Sequence, residues 1–396
     1  MNAAPPFTRR LIAAWLVLFV VAAASASLAG FEFKDGDSRL YARMAHAMAE
    51  QPVSAWLSPH WPAHYYKEGL FQEHTAVFFW PMAALGVLGV PEVPAALLPN
   101  FLYLLGTLLF LAALARARHG EEAAALAPLA FLLSVAGFQY LLRANHETAL
   151  GLGVAAAAWG LHEVERRPWA GAVAAAGFAW CILIKGVIGL VALPALGVWA
   201  LVPGFSRRRL ATLAAGLLAM LLAAWLHEVA FAAANGHSFI RAYLDIHLGY
   251  AQDQERASPV RKLRNAAYYA GVVLWWFFPW SLAWAWSAAK SARARGWRVD
   301  VALWSSVAAA VVYVAFFSMF DRRASRYVFS LYPLLAVAVA PPALRLDRLG
   351  PLWARYLPRA GGVLLWGTAL LVAARVYFHL FHHMFYSWNL DHAADP

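Results

Sequence analysis

What most constrains this chain is a succession of apolar runs of 16 to 25 residues, most of them joined by short connections that carry arginine. The runs lie near 11–29, 93–115, 123–141, 148–164, 168–184, 186–204, 209–233, 265–289, 301–320, 326–344 and 359–380. As helices they are of the length needed to cross a hydrocarbon layer about 30 Å thick. There are too many for one anchor attached to a soluble domain, and none alternates as the strands of a membrane barrel do. Composition agrees: 62% of the residues are hydrophobic and 13% charged, against about 25% charged in soluble domains. The sequence therefore predicts an all-α integral membrane protein, one domain over 1–396 with about eleven transmembrane helices and no separate soluble C-terminal domain. The formal net charge of +11 sits in interhelical loops, which points to orientation and contact with membrane lipids, not to nucleic acid. The single cysteine, Cys181, lies inside an apolar run; it excludes an intramolecular disulfide and argues against a cysteine metal site.

Topology turns on residues 76–90, AVFFWPMAALGVLGV, apolar enough to count as a span. If they cross, Arg116 and Arg118 lie outside. If they form a re-entrant or interfacial helix, those arginines lie inside together with Arg166-Arg167, Arg207-Arg208-Arg209, the basic run from Lys290 to Arg298 and that from Arg345 to Arg359. Compact basic connections belong in the cytoplasm, so the second arrangement is expected, with Pro81 and the short length in its favour. The N-terminus is then inside and the C-terminal HHMFYSWNLDHAADP outside. SASLAG, at the end of the first run, has the small residues of a signal-peptidase site, but that run is long enough to span. Either way the next loop faces outward.

That loop, about 30–92, is the longest departure from hydrophobicity, and a second outer loop spans about 234–264. A membrane bundle gains nothing structurally from so long a polar excursion, so the first loop reads as the floor of an active site. Asp35 and Asp37 open it, just ahead of a helical pattern. An aspartate there is as readily a helix cap as a base that deprotonates a hydroxyl or amine. Glu73 and His74 precede the re-entrant segment; His74 alone reads as an interfacial hydrogen-bonding residue. With Asp35 and Asp37 these two form a conceivable but unpatterned metal set, so no cofactor is required and a divalent cation is allowed. RANHET puts Arg143, Asn145, His146 and Glu147 into one short outer turn. Lys185, inside CILIKGVIGL, either snorkels to the interface or meets an anion. DRRASRY carries three arginines in a short outer turn, against the positive-inside trend. Cations gathered on the outer face imply a bound anion, and phosphate suits Arg forks and Lys point charges. The aromatics of VLWWFFPW read as an interfacial belt and helix packing.

In that order the motifs resemble the type C glycosyltransferases (GT-C) that use polyprenyl-phosphate-linked sugars, the branch of protein O-mannosyltransferases and lipid A aminoarabinose transferases. Asp37-Ser38-Arg39-Leu40-Tyr41 looks like the family's acidic motif followed by a tyrosine, with Ser38 where a second acid is usual. Tyr66-Lys67-Glu68-Gly69-Leu70 with Trp80 downstream is similar to its Lys-Pro-Pro-Leu segment, without the prolines. Arg143 and Glu147, Lys185-Gly186, Tyr268-Tyr269 before Pro279-Trp280, and Arg326-Tyr327 before Tyr332-Pro333 match later motifs.

The resemblance implies a GT-C-like bundle in a bacterial inner membrane with its site facing the periplasm. It also implies a polyprenyl (undecaprenyl) phosphate sugar donor and a lipid, glycan or protein acceptor. Asp37, with Asp35 beside it, is the expected catalytic acid–base residue. Lys67, Arg143, Glu147, Lys185, Tyr269, Arg323, Arg326 and Tyr327 are expected at the donor phosphate and sugar, with Tyr41, Glu73, His74 and His146 as further site candidates. A flippase of lipid-linked sugars would instead show an internal repeat with polar breaks at mid-membrane, and none is visible. A non-catalytic subunit that binds a partner through its outer loop would tolerate Asp37→Asn.

Overall fold

A computed structural model describes residues 33, 35–62, 67–251, 259–293, 301–320 and 323–344. The expected spans at 11–29 and 359–380, SASLAG, the C-terminal segment, Tyr66 and residues 252–258 of the second loop lie outside these residues. Among the described residues the regular structure is helical. The first long loop holds α1 (Gly36–Ala49), a 3-10 turn (Val53–Leu57), a second (Ala76–Phe78) and α2 (Trp80–Val87). An eight-residue helix is about 12 Å long, too short to cross a membrane. Pro81 occupies its first turn, where a missing N–H costs nothing.

The bundle follows with α3 (Glu92–His119), α4 (Glu121–Leu132), α5 (Val135–Tyr140), α6 (His146–Glu163), α7 (Ala170–Lys185), α8 (Val187–Leu190), α9 (Ala192–Leu201) and α10 (Arg207–Asn235). After it come α11 (Phe239–Ala251), α12 (Pro259–Trp276), α13 (Trp280–Arg293), α14 (Val301–Ser318), a 3-10 turn (Ser325–Leu331) and α15 (Tyr332–Leu344). Among the described residues two helices, α3 and α10, are long and apolar enough on their own to cross a membrane.

Several expected single spans are broken. Residues 123–141 divide into α4 and α5 at Ser134, whose hydroxyl accepts the Gly137 N–H at 3.1 Å and starts a new helix. Residues 265–289 divide into α12 and α13 around Phe277–Pro279; a proline there cannot continue the preceding ladder. The run at 186–204 becomes the single turn α8 and then α9. The last described span, expected at 326–344, starts as a 3-10 turn and becomes α-helical at Tyr332.

The centre of the bundle is α6, buried on nearly every side. It forms an antiparallel hairpin with α7 whose seam is made of small residues. A Cβ on Gly177 would stand 2.6 Å from the Gly153 carbonyl oxygen, and one on Gly160 would stand 2.6 Å from that of Ala170. Backbone-to-backbone packing of this kind is how helices associate where lipid removes the hydrophobic drive. Its consequence is positional: the start of α6 and the end of α7 come to the same end of the bundle at fixed separation. On the other side of α7, α10 exposes a stripe of Leu217, Leu218, Leu221, Leu222, Trp225 and Leu226, the surface a lipid-facing helix presents.

Candidate active site

Four ionisable side chains from distant parts of the sequence, two acids and two bases, alternate along one path. Asp37, in the first turn of α1, pairs with a terminal guanidinium nitrogen of Arg326 at 2.8 Å. The Arg326 Nε lies 3.9 Å from Glu147 Oε1, and the same carboxylate oxygen accepts a hydrogen bond from the Lys185 ammonium. Exposure falls along the path: the side chains of Asp37 and Arg326 are 33% and 28% exposed, those of Glu147 and Lys185 1% and 3%. Asp37 and Arg326 are thus within reach of a ligand from outside, and Glu147–Lys185 is the floor beneath them. The second Glu147 oxygen is buried without a hydrogen-bond partner among the described residues.

Local structure explains each position. The α6–α7 seam brings Glu147 and Lys185 together across 38 positions of sequence. Asp35 is the N-cap of α1; its carboxylate accepts the Ser38 N–H at 2.9 Å, the capping alternative its position allowed. Ser38 in turn accepts the Ala144 N–H at 3.1 Å and fastens α1 to the RANHET turn. On the far side the buried Tyr269 hydroxyl accepts the Ala324 N–H at 3.2 Å, holding the turn that carries Arg326. Lys185 sits 5.5 Å from the centre of the Tyr327 ring.

Tyr41 lies one turn beyond Asp37, its ring edge-on to His146 at 4.7 Å and to Phe78 and Phe79. Burial, then the carboxylate of Asp37, holds its phenol well above the ordinary value, while Arg326 pulls the other way. His146 stacks on Phe78 at 3.9 Å and faces His74 at 4.5 Å; neither of its ring nitrogens has a hydrogen-bond partner among the described residues. The structure thus draws Asp37, Tyr41, His74, His146, Glu147, Lys185, Arg326 and Tyr327 into one neighbourhood. Arg143 and Arg323 instead lie over the rings of Tyr140 and Tyr268, 5.1 and 5.2 Å from their centres. Lys67 pairs with Glu73 beside Trp61, in an open cavity of about 490 Å³. Among the described residues no three His, Cys, Asp or Glu side chains are grouped so as to hold a metal ion.

Two supports were missed in the sequence. Asn100, inside the apolar α3, accepts the Asn145 N–H at 3.2 Å and the Thr148 hydroxyl at 2.5 Å, fixing the start of α6. Its signal was a polar residue within a span. Tyr243 of α11 accepts the Val187 N–H at 3.1 Å and donates to the Lys185 carbonyl at 3.3 Å. It bridges the break at Gly186, where φ is 55° and ψ −133°, a region open only to glycine. A Cβ there would stand 2.6 Å from the Tyr243 ring. Burial raises the Tyr243 hydroxyl above its ordinary range, which keeps it a neutral bridge. No local pattern marks it.

Residues 73–229 match the family described as dolichyl-phosphate-mannose-protein mannosyltransferase. No curated protein matches the chain. The crystal structure of ArnT from Cupriavidus metallidurans bound to undecaprenyl phosphate is similar at a TM-score of 0.67 and 22% identity, over 91% of this chain and 63% of that one. The same protein in the apo state gives 0.64 at 20% identity, with the same coverage. The apo oligosaccharyltransferase of Archaeoglobus fulgidus gives 0.50 at 14% identity, over 92% of this chain and 55% of that one. The chain therefore spans about 63% of the length of ArnT and shares its fold, so the likeness to type C glycosyltransferases holds at the level of architecture.

Proposed function

We propose that this chain is a multi-pass membrane glycosyltransferase that moves a sugar from a polyprenyl-phosphate donor to an acceptor at the outer face of a bacterial inner membrane. The observation that carries the reading is the alternating path Asp37–Arg326–Glu147–Lys185, half open and half buried. A structural ion pair needs two partners. Here two basic and two acidic side chains share one site, with a one-third-exposed carboxylate at the mouth. The eleven-span topology with both large loops outside belongs to the same proposal. It is supported by the eight-residue α2 and by the basic connections at the opposite end of the bundle.

Each side chain has a role in the transfer. The donor phosphate competes with Asp37 for Arg326, and as the guanidinium turns to the phosphate the Asp37 carboxylate is freed to act as base. Asp37 then takes the proton of the acceptor hydroxyl or amine while that atom bonds to the anomeric carbon. The bond from the anomeric carbon to the phosphate oxygen breaks, and its electron pair stays on the lipid phosphate. Arg326 and Lys185 stabilise that developing charge. Glu147 anchors Lys185 in a buried place, and Tyr41 and His146 exclude water around it. Lys67, already paired with Glu73, belongs to the neighbouring cavity. Since protein cations meet the phosphate charge, chelation with EDTA is expected to leave turnover unchanged.

The test is turnover by purified protein with a short-chain polyprenyl-phosphate sugar and a panel of envelope acceptors, for wild type and Asp37→Asn. Transfer or donor hydrolysis by wild type that is lost in the variant supports both class and base. Failure of the wild type to bind the polyprenyl phosphate sinks the proposal.

A further inference from the structure

The cavity beside the charged path has a different chemistry. Its walls come from both outer loops: Trp61, Lys67, Gln72 and Glu73 from the first, and Asp245 with Ile246 from α11 of the second. The loops are locked together around it. Asn235 donates to the Ser58 hydroxyl at 2.7 Å, and Gln72 and His237 share a hydrogen bond of 3.1 Å. The lip that carries Trp61 is pinned by two backbone hydrogen bonds, from the Trp61 N–H to the Gly69 carbonyl and from the Phe71 N–H to that of Pro59. At about 490 Å³ the space is in the range of small-molecule sites.

Among the described residues the lining is one base against two acids, with Lys67 already paired to Glu73. That balance runs against the cationic outer face and disfavours an anion. What remains is an aromatic surface, a side-chain amide and carboxylates, which suit a ring with apolar C–H faces and hydroxyls at its edge. The cavity also adjoins the reacting centre. Glu73 leads directly into His74, whose ring lies 4.5 Å from that of His146, the neighbour of Glu147. His247, two residues beyond Asp245, lies 6.3 Å from His74 on the other side.

We propose that this cavity binds an uncharged sugar ring of the acceptor, with Trp61 against the ring and Gln72 and Asp245 at its hydroxyls, so that the acceptor is a glycan. The assignment rests on the transferase reading and names its acceptor class.

The experiment places the full chain in lipid nanodiscs free of sugar-based detergent. Saturation-transfer NMR is recorded with methyl glycosides of neutral hexoses, and a short-chain polyprenyl phosphate is titrated separately. Wild type is expected to transfer saturation to the ring C–H protons of at least one glycoside. Trp61→Ala, and Asp245→Asn as an isosteric change on an exposed residue, are each expected to weaken that binding by about tenfold, the loss typical of an anchor residue. Trp169→Ala, an exposed tryptophan in the connection between α6 and α7, is expected to keep the signal. No signal with any glycoside, or an equal signal in both cavity variants, overturns the acceptor site. If polyprenyl phosphate still binds in that case, the transferase reading stands. If polyprenyl phosphate fails to bind, the transferase reading falls, and the glycoside arm still reports on the cavity by itself.

Discussion

The two ends of the α6–α7 hairpin carry the same kinds of charge in opposite circumstances. At the closed end the buried Glu163, 6% exposed, is approached by Arg166 at 3.9 Å and Arg167 at 3.7 Å, and both arginines are more than half exposed. Nearby, Glu165 accepts from Ser206 and lies 3.6 Å from Arg209. The two Glu163 pairs are local, three and four positions apart, with cations that reach solvent, a class worth about 0–1 kcal/mol each, while the Glu165 contacts fasten α10 to the α6–α7 connection. At the open end Glu147 and Lys185 are sealed from solvent and their partners come from distant parts of the chain. Removing one member of a buried pair costs about 3–5 kcal/mol, because the other charge is stranded. One hairpin thus has an end where solvated arginines meet the acid, and an end where both partners are buried, which costs stability unless something is gained from it.

The contrast can be broken in order of effect. Lys185→Met is expected to abolish transfer and to cost about 3–5 kcal/mol in a denaturation experiment. Adding Glu147→Met should restore much of the stability and none of the turnover; a double variant that stays unstable would show that the pair is not the source of the cost. Asp37→Asn is expected to lower the rate constant for transfer by about 10²- to 10⁴-fold with little change in melting temperature, since its side chain is one-third exposed. Gly177→Val wedges the seam and is expected to cost about 1–3 kcal/mol, and to weaken polyprenyl-phosphate binding by spreading Glu147 from Lys185. Arg167→Ala, at the solvated end, is expected to change stability by less than about 1 kcal/mol and transfer not at all. A large effect there would erase the distinction between the ends.

Sequence showed the charged residues better than their partners. Lys185 and Glu147 stood out because ionisable groups in or beside apolar runs are costly, Arg326 because its turn runs against the positive-inside trend, and Asp37 because it opened the longest polar loop. That Arg326 closes on Asp37 could not be read, since 289 positions separate them and only the packed bundle brings them together. Asp35 looked equivalent to Asp37 until its carboxylate was seen on the Ser38 N–H. Helix boundaries failed where hydropathy is blind to capping. Ser134 lies in an apolar run yet begins a helix, and Pro279 was hidden in an aromatic belt that divides two helices. Arg143 and Arg323 stood out by charge, and their places over the Tyr140 and Tyr268 rings could not be read from sequence.

The break after Lys185 sets unequal tolerances at two positions that touch. Tyr243 is negotiable: phenylalanine would keep the ring against Gly186 and lose only the two hydrogen bonds through the hydroxyl. Gly186 is not, because its backbone angles exclude a side chain whether or not the ring is there. Compensation can therefore run in one direction only. In a library randomised at both positions and selected for function, residue 243 is expected to drift among aromatics while residue 186 returns as glycine every time.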